Sequence, residues 1–143
     1  MPGERLPEGT LPRRVLVVGC GALGRELVAL TRGLPGVDLT CLPADLHNRP
    51  ERIPAAVAAR LRARGGDYDR VFVAYADCGT GGLLDRMLET EFDGVERIPG
   101  AHCYESYAGA AAFAALQDEE AGTFYLTDFL ARNFERIVWR GLG

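Results

Sequence analysis

Two kinds of apolar segment alternate along this chain of 143 residues, and their order limits the folds that it can form. Short continuous apolar runs are typical of buried parallel strands, whereas apolar residues spaced three or four apart indicate helices. Runs of the first kind predict strands at residues 14–19 and 70–75, and shorter or interrupted apolar segments predict strands at 37–42, 95–98 and 123–126. Between and after them, helical spacing predicts helices at residues 22–32, between 50 and 65, near 83–88, at 104–117 and at 129–140.

Strands that alternate with helices in this way are typical of a parallel sheet with helices on both faces. We therefore predict an α/β fold, a Rossmann-like three-layer α/β/α sandwich with a mostly parallel sheet of about five strands. Residues 13–143 should form this single domain, after a Pro- and Gly-rich leader at residues 1–12 that we expect to be flexible. Because the chain stops directly after an amphipathic stretch, we also expect truncation at the C-terminus.

The composition removes several classes of chemistry. All 16 basic residues are Arg, which excludes a Schiff-base lysine and a P-loop lysine. The only serine, Ser106, does not lie in a nucleophile elbow. A net charge of −4 argues against nucleic-acid partners or an anionic membrane surface, and the apolar runs are too short to span a bilayer. Without an apolar signal segment, the protein is expected to be cytoplasmic, where thiols stay reduced.

The four cysteines follow or end four of the predicted strands. Cys20 directly follows the first predicted strand, Cys78 and Cys103 come just after the third and fourth, and Cys41 lies at the end of the second. Because ligands of such sheets bind beyond the carboxyl ends of the strands, we expect these thiols to gather in one crevice. Cys41 is the residue for which simple space filling is the favoured interpretation. His47 and His102 belong to the same layer of loops.

Thiolate and imidazole ligands suit zinc or an iron–sulfur cluster. The chain has no Cys-x-x-Cys pair, so a site would be assembled from separate loops. The leading hypothesis is therefore a metal-, iron–sulfur- or cofactor-binding protein that takes its ligands from six residues: Cys20, Cys41, His47, Cys78, His102 and Cys103.

Two glycine-rich loops support an alternative. Gly19, Gly21 and Gly24 have the Gly-x-Gly-x-x-Gly spacing of dinucleotide sites, but an acidic residue for the ribose is missing at the end of the second strand. A second loop, with Asp77, Gly79, Thr80 and Gly81, could present backbone amides to an anion. These loops predict a nucleotide- or corrinoid-binding module without metal.

A thiol-dependent enzyme is a third possibility. Cys78 or Cys103 would be the nucleophile, His102 the base, and Asp77 or Glu105 the group that orients the base. Cys78 comes just before a predicted helix, and amides at a helix N-terminus lower the pKa of a thiol.

Several segments together resemble a known family: GCGAL (residues 19–23), LTCLPADLHNRPERI (39–53), YADCGTGG (75–82), IPGAHCYE (98–105) and GTFYLTDFL (122–130). This is an uncharacterised prokaryotic domain-of-unknown-function family, and the resemblance covers residues 14–143. Some of its members are encoded beside corrinoid-dependent methylamine methyltransferases. The resemblance implies a Rossmann-like fold, corrinoid or methyl-transfer metabolism, and a methyltransferase or corrinoid protein as partner. It implies no catalytic residue.

Overall fold

The computed structural model describes residues 13–142, and the predicted leader at residues 1–12 lies outside them. Four parallel strands form one sheet in the order β2-β1-β3-β4. Their bounds are Val15–Cys20 (β1), Val37–Leu42 (β2), Arg70–Ala74 (β3) and Glu96–Arg97 (β4). The predicted Rossmann-like α/β fold is confirmed, with an all-parallel sheet of four strands in place of about five.

The helices connect and flank these strands. Three of them lie between the strands: α1 (Gly24–Thr31), α2 (Ile53–Arg64) and α3 (Leu83–Glu91). Short 3-10 helices precede or follow them at Gly21–Leu23, Ala44–Asn48, Pro50–Arg52 and Gly65–Asp67. After β4 come α4 (Glu105–Ala108), α5 (Ala110–Glu119), α6 (Asp128–Arg132), a π-helical segment (Phe134–Trp139) and α7 (Arg140–Leu142). None of the helices in the described residues is long and apolar enough to cross a membrane.

The strand order decides which face each helix covers. The chain passes from β1 outward to β2, and then back across β1 to β3 and onward to β4. Right-handed crossovers then put α1 on one face of the sheet and α2 and α3 on the other. In agreement with this, α2 packs directly against α3, whereas α1 packs on β1 and β2.

The main core lies on the α2–α3 face. Because side chains alternate along a strand, Leu16, Val18 and Cys20 all project to this face from β1. Val73 in β3 and Tyr75, the first residue after β3, are also buried and pack with these side chains in the same core. The alternation therefore extends the core up to the carboxyl edge of the sheet, where it ends in the thiol of Cys20 and the ring of Tyr75.

The predicted fifth strand at residues 123–126 is wrong. This segment has no strand structure, and residues Phe124 and Leu126 are each 53% exposed. Tyr125 instead packs its ring on Tyr104 and Phe113, with ring centroids 5.7 and 5.1 Å apart. One reason lies at the β4 edge of the sheet, where a further strand would have only the two residues of β4 to pair with.

Candidate functional site: the thiol pocket

A cavity of about 290 Å³ opens at the carboxyl edge of the sheet, where ligands of this fold class bind. We call it the thiol pocket. Apolar side chains form much of its wall, among them Leu23, Pro50, Ile53 and Leu130. Three cysteines, two histidines and three tyrosines supply its chemistry: Cys20, Cys78, Cys103, His47, His102, Tyr75, Tyr104 and Tyr107.

Cys41 is the one cysteine that does not line the thiol pocket. In the sheet register Cys41 lies opposite Gly19, whereas Leu42 lies opposite Cys20. Cys41 therefore projects to the α1 face, and its Sγ lies 4.0 Å from the position that a Cβ on Gly24 would occupy. A shift of one residue along the strand thus separates this thiol from the other three.

Cys78 and Cys103 form the closest pair of polar groups in the thiol pocket. Their Sγ atoms lie 2.9 Å apart, and both are free thiols. Two backbone hydrogen bonds hold their loops together: the Asp77 amide donates to the Gly100 carbonyl at 3.1 Å, and the Cys78 amide donates to the Ala101 carbonyl at 2.8 Å. These bonds continue the β3–β4 pairing beyond the ends of the strands. Cys78 has a positive φ of 52°, the only non-glycine residue of the described chain with one.

The two thiols of this pair differ in acidity. A hydrogen bond with Cys103 lowers the pKa of Cys78, and the backbone of Cys103 and Ala76 acts in the same direction against burial. The same hydrogen bond, together with burial, raises the pKa of Cys103. The pair therefore favours a thiolate at Cys78 that accepts a hydrogen bond from the Cys103 thiol.

Cys20 is a different kind of thiol. Its side chain is 6% exposed, and burial is the main cause that raises its pKa, although the backbone of Ala22 and Leu23 opposes this. These two residues belong to the short helix that follows β1, so the sulfur faces a helix N-terminus. Cys20 stays protonated more readily than Cys78.

The hydroxyl of Tyr75 is buried in the thiol pocket without a hydrogen-bond partner in the part of the chain that the structure describes. The residue is 1% exposed. Its hydroxyl approaches the Cys20 thiol closely enough for the two groups to affect each other's pKa, but not with the geometry of a standard hydrogen bond. Burial raises the pKa of Tyr75, so it stays a donor. A buried donor without a partner is costly, and an acceptor bound in the pocket would remove that cost.

Both histidines lie near Tyr104. The Nε2 atom of His47 is 3.2 Å from the Tyr104 hydroxyl. Burial lowers the pKa of His47, which keeps the imidazole neutral and able to act as a ligand or acceptor. The ring of His102 packs near the rings of Tyr104 and Phe113, at centroid distances of 6.0 and 6.4 Å.

The second predicted anion cradle is already occupied by a side chain of this protein. The Asp77 carboxylate accepts hydrogen bonds from the Thr80 hydroxyl at 2.6 Å and from the amides of Gly81 and Gly82 at 3.0 and 2.8 Å. These bonds lower the pKa of Asp77. Of this loop only Cys78 and Gly79 line the thiol pocket.

The first glycine motif has a clear packing role. A Cβ on Gly21 would lie 2.7 Å from the Leu42 carbonyl oxygen and 3.1 Å from the Ala44 amide nitrogen, and one on Gly19 would collide with the Leu27 side chain. In dinucleotide sites the second glycine lets a pyrophosphate approach the backbone. Here it is the protein's own backbone that takes up that space.

The predicted metal ligands are only partly brought together. Five of the six line the thiol pocket, but within residues 13–142 no group of three or more Cys, His, Asp or Glu side chains is arranged to hold a metal ion. Tyr75 and Tyr104 were not predicted as site residues. The alternation of Val71, Val73 and Tyr75 along the third apolar run was the signal that could have placed Tyr75 beside Cys20.

Comparison with known proteins gives one match. A family model described as a protein of unknown function (DUF1638) matches residues 41–143. The matched range contains Cys41, Cys78, Cys103 and both histidines, and Cys20 lies before it. No curated protein and no solved structure matches the chain.

Proposed function

The chain belongs to the DUF1638 family of proteins of unknown function, and we propose that it binds a soft metal ion, a metal cluster or a thiol-liganded cofactor in the thiol pocket. One observation carries the proposal: three thiols that are far apart in sequence line a single pocket together with Tyr75, whose hydroxyl has no hydrogen-bond partner within residues 13–142. Thiolate sulfur and neutral imidazole nitrogen are the donors that zinc and iron–sulfur clusters prefer.

A bound ion requires the Cys78 and Cys103 sulfurs to separate. Two thiolates on one tetrahedral zinc, each at about 2.3 Å from the metal, lie about 3.8 Å apart. In the structure they are 2.9 Å apart. Opening the pair by about 1 Å would make room for the ion between them, with Cys20, His47 or His102 as further ligands. The Tyr75 hydroxyl would then donate to a ligand sulfur or to a bound oxygen, which stabilises the loaded state.

Metal content is the direct test. We expect protein purified without oxygen to retain metal in stoichiometric amount by elemental analysis, with a visible absorption band if the group is an iron–sulfur cluster. Cys78→Ala and Cys103→Ala should lose it, whereas Cys41→Ala should keep it because Cys41 lies outside the thiol pocket. Wild-type protein that stays metal-free after incubation with zinc and with iron and sulfide contradicts the proposal.

A second candidate function is a thiol-dependent enzyme with Cys78 as the nucleophile. The observation that favours it is the 2.9 Å hydrogen bond between Cys78 and Cys103, which lowers the pKa of Cys78 and favours its thiolate. Brief treatment with iodoacetamide at pH 6 should then give one main adduct, at Cys78. Labelling of Cys41 as fast as Cys78 would count against a special nucleophile.

The nucleotide or corrinoid alternative remains a prediction with less support. The amides of Gly81 and Gly82 already bind Asp77, and Gly21 packs against the backbone of residues 42–44. The expected link to corrinoid or methyl-transfer metabolism rests on the family resemblance. Thermal-shift measurements with NAD, FAD, nucleotides and cobalamin at millimolar concentration test this alternative, because a ligand of the folded state raises the melting temperature.

A further inference from the structure

We infer that Cys78 and Cys103 form a dithiol–disulfide couple that reduces small disulfide substrates entering the thiol pocket. This inference deepens the second candidate function, on which it rests. It adds Cys103 as the resolving thiol and names the substrate class. It does not require a metal.

The geometry of the pair is the first argument. With 2.9 Å between the Sγ atoms, a bond length of about 2.0 Å is reached by a movement of about 1 Å. The two cysteines are 25 residues apart, but the hydrogen bonds from Asp77 to Gly100 and from Cys78 to Ala101 align their loops. The approach is therefore a property of the folded sheet edge and not a chance encounter of two side chains.

Access to the pair is the second argument. Cys78 and Cys103 are each half-buried and line a cavity of about 290 Å³. A small organic disulfide can enter a cavity of this size, whereas a protein disulfide would have to insert a loop. The apolar wall, with Pro50, Ile53 and Leu130, suits the carbon skeleton of such a substrate.

The reaction takes place in two exchange steps. The Cys78 thiolate attacks one sulfur of the substrate R–S–S–R, the substrate S–S bond breaks, and RS⁻ leaves to take up a proton from solvent. Cys103 then gives its proton to solvent and attacks the Cys78 sulfur of the mixed disulfide, which releases the second RS⁻. Two electrons pass from the cysteine pair to the substrate, which ends as two thiols. A small dithiol reductant restores the pair by the reverse exchange.

Peptide mapping is well suited to test this couple, because cleavage after Arg puts the four cysteines on four different peptides. Cys78 lies in residues 71–86 and Cys103 in residues 98–132. Full-length, metal-free protein is equilibrated with mixtures of oxidised and reduced glutathione, quenched with acid, alkylated and digested. We expect the peptides 71–86 and 98–132 to become linked as the share of oxidised glutathione rises, and to separate again after treatment with dithiothreitol.

Variants assign the roles of the two thiols. Cys103→Ser should trap glutathione as a mixed disulfide on Cys78, because the resolving thiol is missing. Cys78→Ser should abolish the cross-link, and Cys41→Ser should leave it unchanged. Circular dichroism on each variant confirms that it is folded.

Two results would overturn the inference. One is that Cys78 and Cys103 both remain alkylated in oxidised glutathione; the other is that Cys20 replaces Cys103 in the linked pair. Iodoacetamide labelling separates the inference from its premise. If Cys78 labels selectively but no cross-link forms, Cys78 remains the candidate nucleophile and the dithiol–disulfide couple is rejected. If there is neither selective labelling nor a cross-link, both the nucleophile and the couple are rejected.

Discussion

The loops that carry Cys20 and Cys78 have similar sequences, but their thiols are held in different ways. In each loop a strand leads to Cys, then to Gly, and then to a helix. Cys20 keeps the extended backbone of the strand and is buried, with φ −72° and ψ 133°. Cys78 has left the strand, has a φ of 52° and faces another thiol.

The difference comes from partners outside each loop. Burial dominates at Cys20 and raises its pKa. At Cys78, a neighbour contributed by the β4 loop donates a hydrogen bond and lowers the pKa. A strand, a cysteine and a helix N-terminus are therefore not sufficient to lower the pKa of a thiol. At Cys78 the lower pKa depends on Cys103, which the loop after β4 supplies.

The two loops should differ most in how much stability they lose when a glycine of each is replaced by alanine. Gly21→Ala should destabilise the protein by about 2–3 kcal/mol, because its Cβ would meet the backbone of residues 42–44. Gly81→Ala has open space and should cost about 1 kcal/mol, for the positive φ alone. Urea unfolding measures both, with Gly66→Ala as the control in open space. Equal costs for Gly21 and Gly81 would contradict the packing argument.

The second prediction compares the thiols directly. At pH 7 iodoacetamide should modify Cys78 roughly tenfold or more faster than Cys20, because the pKa of Cys78 is lowered and that of Cys20 is raised. In Cys103→Ala the Cys78 rate profile should move to higher pH, since the hydrogen bond that stabilises the thiolate is lost. Mass spectrometry of quenched samples gives both rates. An unchanged pH profile in Cys103→Ala would show that the pair is not the cause.

The third prediction concerns Asp77, which has no counterpart in the first loop. Asp77→Asn should destabilise the protein by about 1 kcal/mol at pH 7, because an amide replaces a carboxylate that accepts three hydrogen bonds. The folded-state pKa of Asp77 lies below the ordinary value of 3.8. The stability from the carboxylate is thus fully present above pH 3.8 and is lost as the pH falls through the lower, folded-state pKa.

Unfolding of wild type and Asp77→Asn from pH 7 down to pH 2 tests this dependence. The difference in the free energy of unfolding between wild type and Asp77→Asn should disappear as the pH falls below 3.8. The exposed Asp93 provides a matched control, and Asp93→Asn should follow the wild-type curve. A gap that stays constant down to pH 2 would show that the carboxylate charge is not what holds the loop.

The smallest change in stability is expected for Tyr75→Phe. It removes a buried hydroxyl without a partner in the described chain, so stability should stay within about 1 kcal/mol of wild type or increase slightly. Tyr68→Phe is the matched control, because the Tyr68 hydroxyl donates to Asp38 at 2.7 Å and accepts from Arg64 at 3.0 Å. Tyr68→Phe should lower the free energy of unfolding by about 0.5–1 kcal/mol, as measured by thermal unfolding. A larger loss at Tyr75 than at Tyr68 would show that the buried hydroxyl is already satisfied.

Much of the fold could be predicted because it depends on local apolar patterns. The apolar segments predicted as the first three strands match β1, β2 and β3 to within a residue. The segment at 123–126 has a similar apolar character, but its Tyr125 packs on Tyr104 and Phe113 instead of joining the sheet. Strand pairing depends on what another part of the chain offers, and the two residues of β4 offer little.

The sequence by itself determined the parallel α/β order and the placement of Cys20, Cys78 and Cys103 at or beyond the carboxyl ends of three strands, because both follow from residue periodicity and from the direction of the chain. Only the tertiary structure decided that Cys41 projects to the other face, that Asp77 occupies its own amide cradle, and that Cys78 and Cys103 lie 2.9 Å apart. The physical reason is the same in each case. Sheet register and hydrogen bonds between loops set side-chain distances to within an ångström, and these contacts join residues that are far apart along the chain.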